Sequence, residues 1–328
     1  MRLGMYVDMR NPPRWARAWG DHYRRWLNRI VDAEQLGAEM VWLTEHHFFD
    51  DGYLPQCWTL ASAIATRTSR LRIGTAVSLL PLHAAIEVAE QVALVDVISD
   101  GRVEPGFGVG YRRPEYEGFG ADFDRRYQVF GERVNELRRL WGEEPGADRV
   151  VTPGPIQQPI PMWGGFRGPI GARLAGRLGL GLQWLDPELL EPYYDGLDEG
   201  GHDRSLARIS GTVTFLLADD PEQAWAVAKP HIDYRWNSYG RYRVEGTGEQ
   251  APVIDTADWL ESGRFVLGSV DDIAQVIRTR CAGLPVTDIA FWADYPGMPD
   301  DLIDRHLELA FGELAPRLST PTVDGSAR

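Results

Sequence analysis

Met40-Val41-Trp42-Leu43-Thr44-Glu45-His46-His47-Phe48 is the stretch on which the fold turns. Four apolar residues run, after a single threonine, into an acid and two imidazoles. A short, continuously apolar run fits a strand covered on both faces, as in a parallel sheet. Titratable side chains placed directly after it occupy the strand's carboxyl end, where parallel α/β proteins bind ligands and carry out chemistry.

Outward from that segment, strand and helix signals alternate along the 328 residues. Strands are expected at 2–7, 39–43, 71–77, 102–109, 160–164, 180–185, 211–217 and 287–293. Between them, apolar residues recur at helical spacing. Trp26, Leu27, Ile30, Val31 and Ala33 precede a Gly37 stop, and Ile86, Ala89, Val92, Ala93 and Val97 mark the buried side of a helix over 83–98. Asp219-Asp220-Pro221 opens a helix expected to end near Asn237. Eight alternations with no break in composition predict a (β/α)8 TIM barrel with loop insertions. An open doubly wound sheet is the competing architecture, but strand one runs into Asp8-Met9-Arg10-Asn11-Pro12-Pro13 rather than a Gly-rich phosphate turn. The expected organisation is a single domain over 1–318, with a polar insertion at about 239–262 and a disordered tail at 319–328.

Composition narrows the function. Hydrophobic residues make up 44%, enough for a large core, and the formal net charge is −14. So acidic a chain is not expected to bind nucleic acid, which needs clustered Lys and Arg. No apolar run approaches the ~20 residues that span a bilayer, and no signal peptide precedes the first strand, so a cytoplasmic protein with no membrane partner is expected. Cys57 and Cys281 are the only cysteines; they imply reduced thiols rather than a disulfide framework.

Four strand ends carry the candidate chemistry. At the second, neighbours on an extended chain point to opposite sides, so His46 and His47 are not expected to share a metal. A metal would need partners elsewhere, such as His83, His22 or Asp8, and none is expected. At the third, Gly74-Thr75-Ala76-Val77-Ser78 suits either a flat ligand against the backbone or a tight strand-to-helix turn. At the fourth, Gly106-Phe107-Gly108-Val109-Gly110-Tyr111 offers a bare face. Behind it Arg112, Arg113, Arg125 and Arg126 form either a solvated basic face or a site of anion capture. At the fifth, Gly164-Gly165-Phe166-Arg167-Gly168-Pro169 leads into a helix whose first N–H groups would seat a phosphate.

In their order and spacing these stretches resemble the bacterial luciferase-like flavin-dependent oxidoreductases. The match runs through Glu45-His46-His47-Phe48, Arg72–Pro81, Glu87-Val88-Ala89-Glu90-Gln91, Asp100-Gly101-Arg102 and Gln158–Gly165, and spans residues 1 to about 315. The resemblance implies a TIM barrel, often dimeric, holding a flavin or deazaflavin at its strand carboxyl ends. His46 matches the histidine that assists flavin–oxygen chemistry, and Glu45 would hold its tautomer or the flavin's pyrimidine edge. Ala76-Val77 matches a bulge beneath the flavin ring, often with a cis peptide, and Gly108, Gly110 and Tyr111 line the same site. Gly164, Gly165, Phe166 and Arg167 match the phosphate-binding turn, and Trp184 lies near where relatives cover the ring. Val109 stands where luciferase itself has a phosphate-binding arginine, so Arg126 or Arg167 would supply that charge. The segment between Trp141 and Pro155 is shorter than in many relatives.

The implied activity is a monooxygenase that uses reduced FMN and dioxygen on a small organic substrate, with His46 as general acid/base. A flavin reductase would deliver the reduced flavin, since no nicotinamide fingerprint is visible, and a homodimer is carried over from the family. A deazaflavin-dependent oxidoreductase passing hydride is the alternative; a non-redox barrel, such as a metal-dependent hydrolase, is the third reading.

Overall fold

The structure, a computed structural model, describes residues 1–143 and 150–319. The expected tail beyond Ser319 and the middle of the segment between Trp141 and Pro155 lie outside the described residues. Twelve strands are present among the described residues: β1 (Arg2–Val7), β2 (Met40–Leu43), β3 (Arg72–Thr75), β4 (Ser78–Leu79), β5 (Val103–Glu104), β6 (Gly106–Gly108), β7 (Trp163–Gly164), β8 (Gly181–Gln183), β9 (Ile209–Thr212), β10 (Thr214–Leu216), β11 (Phe265–Leu267) and β12 (Val286–Trp292).

Ten of them form one sheet in the order β4-β6-β7-β8-β9-β12-β1-β2-β3-β5, and every pairing is parallel. The two ends of that order meet. β3 and β4 are halves of one strand broken at Ala76-Val77, whose peptide is cis. β5 and β6 are halves of another, broken at Pro105, which has no N–H to give the ladder. β3 pairs with β5 and β4 with β6, so these two strands run side by side through both breaks and the ring closes on eight strands. The expected (β/α)8 barrel is the observed fold.

Side chains fill the barrel. Trp42 and Trp163 meet edge to face with ring centroids 5.9 Å apart. Glycines opposite make room for them: a Cβ at Gly74 would lie 2.3 Å from the Trp42 ring, and one at Gly181 would lie 2.4 Å from the Trp163 ring. At the amino-terminal end, Arg2 pairs with Glu104 at 2.6 Å and Asp288 at 2.6 Å, Arg72 also binds Glu104, and Trp163 Nε1 donates to Glu104 at 2.9 Å. That end is sealed by charge pairs and indole, leaving the carboxyl end for a site.

Helices cover the outside, and four depart from expectation. The helix Ala85–Ser99 buries Val88, Ala89, Val92, Ala93 and Val95 but leaves Ile86, Leu94, Val97 and Ile98 exposed by 39–46%. It is apolar nearly all round, so spacing alone chose the wrong face for Ile86 and Val97. The helix from Pro221 runs on to Arg243 rather than ending near Asn237, because its polar and aromatic last turns face the carboxyl mouth instead of water. The expected insertion beyond it is not all irregular: that stretch of chain carries the helix Ala257–Glu261 and leads into β11, which pairs with β10 outside the barrel. A short helix, Arg113–Phe119, lies where none was expected.

Candidate active site

After β2 the chain turns across the carboxyl mouth with Glu45, His46 and His47 all buried. Extended geometry sends neighbours to opposite sides, and the three side chains divide accordingly. Glu45 Oε1 accepts from His47 Nε2 at 2.9 Å and His83 Nε2 at 2.6 Å, and its Oε2 accepts from Ser78 Oγ at 2.8 Å and the Leu79 N–H at 3.2 Å. Burial raises the Glu45 pKa, but the hydrogen bonds and charges of the two imidazoles outweigh it and bring it down to about 2. Burial likewise works against the charged form of His83, and Glu45 overcomes it to leave that pKa raised. The three groups lie near enough together to hold a metal ion, yet four donors already saturate the carboxylate. The cluster acts as a knot that ties the turn after β2 to the third strand.

His46 faces the other way. Its Nδ1 lies 2.8 Å from Glu115 Oε1, an oxygen that also accepts from the His47 N–H at 2.9 Å and Arg112 Nη1 at 3.1 Å. Desolvation raises the Glu115 pKa, but the His46 hydrogen bond and the neighbouring charges hold it below the usual carboxylate range. An ionised carboxylate at Nδ1 keeps the proton on that nitrogen and leaves Nε2 as a free acceptor. The rings of Phe49, Tyr53 and Tyr111 surround the imidazole with centroids 4.9, 4.8 and 5.3 Å away. Glu45, expected to set the His46 tautomer, is thus replaced in that role by Glu115. The sequence neighbour is on the wrong side of the strand, and the true partner rides on the helix that periodicity did not mark.

The glycines of the fourth strand also serve a different end. A Cβ at Gly108 would lie 2.4 Å from Val77 Cγ2, and one at Gly165 would lie 2.3 Å from Val77 Cγ1. One at Gly106 would come within 2.0 Å of the Thr75 carbonyl and 2.4 Å of Gln183 Oε1. The bare face is therefore filled by the protein's own Val77 and Gln183. Gly110 differs: its φ of +66° is one that side chains avoid. In the fifth-strand turn the Gly165 N–H donates to the Phe107 carbonyl at 2.8 Å, so it belongs to the barrel ladder and is withdrawn from any anion. Beyond Gly164 and Phe166, Gly168 caps the helix Pro169–Arg177 with open space around it, and Arg167 is exposed with its guanidinium 4.7 Å over the Trp184 ring.

The basic cluster falls apart in three dimensions. Arg113 pairs with Asp124 at 3.0 Å and Arg125 with Glu132 at 3.8 Å, both at the surface. Arg112 is wholly buried against Glu115 and Glu245. Arg126, like Arg112, keeps a buried donor, Nε, without a partner; Arg126 Nη1 donates to the Phe123 carbonyl at 2.8 Å. On the far side of the mouth, Arg235 pairs with Asp8 at 2.6 Å, and burial together with Asp8 pushes the Asp294 pKa up to about 7.

Residues 1–280 match the family model for luciferase-like monooxygenases. The chain belongs to that family. Its relatives include the oxygenase component of a flavin-dependent trigonelline monooxygenase from Acinetobacter baylyi, 25% identical over 323 residues and 89% of each chain. An F420-dependent glucose-6-phosphate dehydrogenase from Amycolatopsis mediterranei is 26% identical over 289 residues, 77% of this chain and 84% of that one. The crystal structure of the monooxygenase RslO1 from Streptomyces bottropensis superposes with a TM-score of 0.80 at 24% identity, covering 96% of this chain and 99% of that one. The protein is thus an oxidoreductase of the luciferase-like kind, in a family whose members use flavin or F420. Among its described residues no helix is long and apolar enough to cross a membrane.

Within this luciferase-like barrel, the sequence marked His46, the Ala76-Val77 break and the fifth-strand turn. It did not mark Glu115, Gln183 or the partner of Arg112. Pro114 at a first helical turn and Gly120 just past a last one were the available signals for the helix that carries Glu115.

Proposed function

We propose that the protein is a monooxygenase that takes reduced FMN from a separate reductase and uses dioxygen to oxidise a small organic substrate. The reading is supported above all by His46: a buried imidazole whose Nδ1 is fixed by Glu115, whose Nε2 is left as an acceptor, and which sits in a ring-lined mouth. Three further features support a flat cofactor with a polar edge. Ala76 and Val77 are part-exposed at the break in the third strand, Gln183 Oε1 is a buried acceptor without a partner, and Arg126 Nε is a buried donor without one. Tyr111 would flank the ring, while Arg126, Arg167 and the turn around Gly165, the ladder-bonded Gly165 N–H excepted, would hold the phosphate.

Bound reduced flavin would supply the two electrons with which one atom of dioxygen enters the substrate and the other leaves as water. The residues of the chain would do the rest. His46 Nε2 takes a proton from the substrate or returns one to the departing oxygen, Glu115 stabilises the imidazolium that forms, and the aromatic wall keeps bulk water out. The part-exposed apolar side chains on Ala85–Ser99 would seat a second copy in a homodimer. A deazaflavin reading, with hydride transfer and no oxygen activation, has the F420-dependent relative in its favour. Titration of the purified protein with reduced FMN and with F420, followed by absorbance and oxygen uptake, separates the two. We expect FMN to bind and to support oxygen consumption; submicromolar binding of F420 alone would overturn the monooxygenase.

A further inference from the structure

The last turns of the helix Pro221–Arg243 lie against the loop that carries His46. The Tyr239 and Tyr53 hydroxyls meet at 2.8 Å, Tyr234 OH donates to Asp51 at 2.9 Å, and Tyr242 OH accepts from the Asp50 N–H at 2.8 Å. Two residues beyond the helix, Glu245 accepts a hydrogen bond from Arg112 Nη2. Arg112 is fully buried, whereas the Glu245 side chain is 44% exposed. Arg112 Nη1 donates to the His47 carbonyl at 2.6 Å and to Glu115 at 3.1 Å, and the guanidinium lies 4.6 and 4.7 Å from the ring centroids of Phe49 and Tyr242.

Two buried polar atoms of this array have no hydrogen-bond partner: Arg112 Nε and Glu115 Oε2. A guanidinium and a carboxylate are complementary forks that favour two parallel bonds. Here they share one, because Glu245 draws the other edge of the fork away.

We propose that Arg112 is a positioning residue for His46 and that Glu245 is the latch that sets it. The idea rests on the reading of His46 as the proton-handling group of the site. With Glu245 in place, Glu115 Oε1 stays on His46 Nδ1 and Nε2 faces the mouth as an acceptor. With Glu245 released, Arg112 closes its second bond onto Glu115 and turns the carboxylate from the imidazole, which then loses its fixed tautomer. Being half exposed, Glu245 is the member of the array that solvent and incoming ligands can compete for. Seating of the segment after the long helix would thus prepare His46 for its chemistry.

The test is nitrogen NMR of histidine-labelled full-length protein, without cofactor and at a pH where the imidazole is neutral, with the His46 signals assigned from His46→Gln. We expect the Nδ1–H form to predominate in the unaltered protein and a roughly tenfold fall in the tautomer ratio in Glu245→Ala, the worth of one charge-assisted hydrogen bond. Glu245→Ala carries the test because it removes the acceptor at a part-exposed position, while variants of buried Arg112 risk unfolding. An unchanged ratio in Glu245→Ala would overturn the latch. Reduced FMN and F420 titrated into the same samples keep the two ideas apart. A shifted ratio with neither cofactor bound removes the flavin reading and leaves the latch, and FMN binding with an unshifted ratio does the reverse.

Discussion

His46 shows how a single residue acquires a role from its surroundings. Its ring is held on one nitrogen by a buried carboxylate and walled by aromatic side chains, so only Nε2 is left to act. His46→Ala should lower turnover by about 10²–10⁴-fold while reduced FMN still binds. Stopped-flow oxygen uptake beside a flavin titration checks this, and full turnover in the variant would remove the assignment. The glycines make an opposite kind of statement, about space. A methyl group at Gly106 would strike the Thr75 carbonyl, which is backbone and cannot swing aside. Gly106→Ala should therefore cost about 1–3 kcal/mol of stability, measurable by urea unfolding, and a cost within error of zero would mean that the third and fourth strands part more easily than their packing suggests.

At the level of elements, local chemistry fixes where helices begin and how closely they pack. Ser269 and Asp272 form a reciprocal capping box at the start of Val270–Cys281. Ser269→Ala should cost about 0.5–2 kcal/mol, seen as a lower midpoint in thermal or urea unfolding, and an unchanged midpoint would show that the helix is held by packing alone. The helices Pro169–Arg177 and Leu190–Gly200 approach until backbone meets backbone: a Cβ at Gly176 would lie 2.2 Å from the Tyr193 carbonyl, and one at Gly196 would lie 2.1 Å from the Arg173 carbonyl. Periodicity found most of the barrel helices because their apolar faces repeat. It failed on Ala85–Ser99, where nearly every face is apolar, and on the end of Pro221–Arg243, where tyrosines and arginines that serve the mouth look like a solvent-exposed loop. Glu115 stayed hidden for a related reason. Its helix is too short to show a repeat, and its bond to His46 spans 69 positions.

For the whole molecule, the alternation of strand and helix was enough to foresee the barrel, because each apolar strand needs cover on both sides and each helix supplies it. The ion pairs that plug its lower end were not legible, since nothing in the spacing of Arg2, Arg72, Glu104 and Asp288 brings them together. They carry a dependence on acid. Burial raises the Glu104 pKa, but Arg2, Arg72 and Trp163 more than offset it and leave the folded value below the ordinary one. The group therefore stabilises the fold above an unfolded pKa of about 4.3, and that contribution is lost as pH falls toward the folded value. Glu104→Gln should be destabilised by about 3–5 kcal/mol at neutral pH, with a flatter stability profile below pH ~4.3; urea midpoints across that range would show it, and parallel profiles would refute it. The exposed apolar side chains on Ala85–Ser99 make Leu94→Glu the test of the homodimer. It should sediment as a monomer where the parent sediments as a dimer, and a parent that is already monomeric would end that proposal.

The roof over His46 comes from far along the chain, with Tyr242 192 positions after its partner Asp50. The loop at 44–54 emerges early in synthesis, but the tyrosines that cover it and the acid that steadies Arg112 lie at 234–245, after seven of the eight barrel strands. A nascent chain can lay down most of its staves while the imidazole still stands in open water. Native contacts so distant along the chain make for slow assembly. The acid–base centre should then mature on the ribosome only after those strands, sealed when residues 234–245 fold back over residues 44–54.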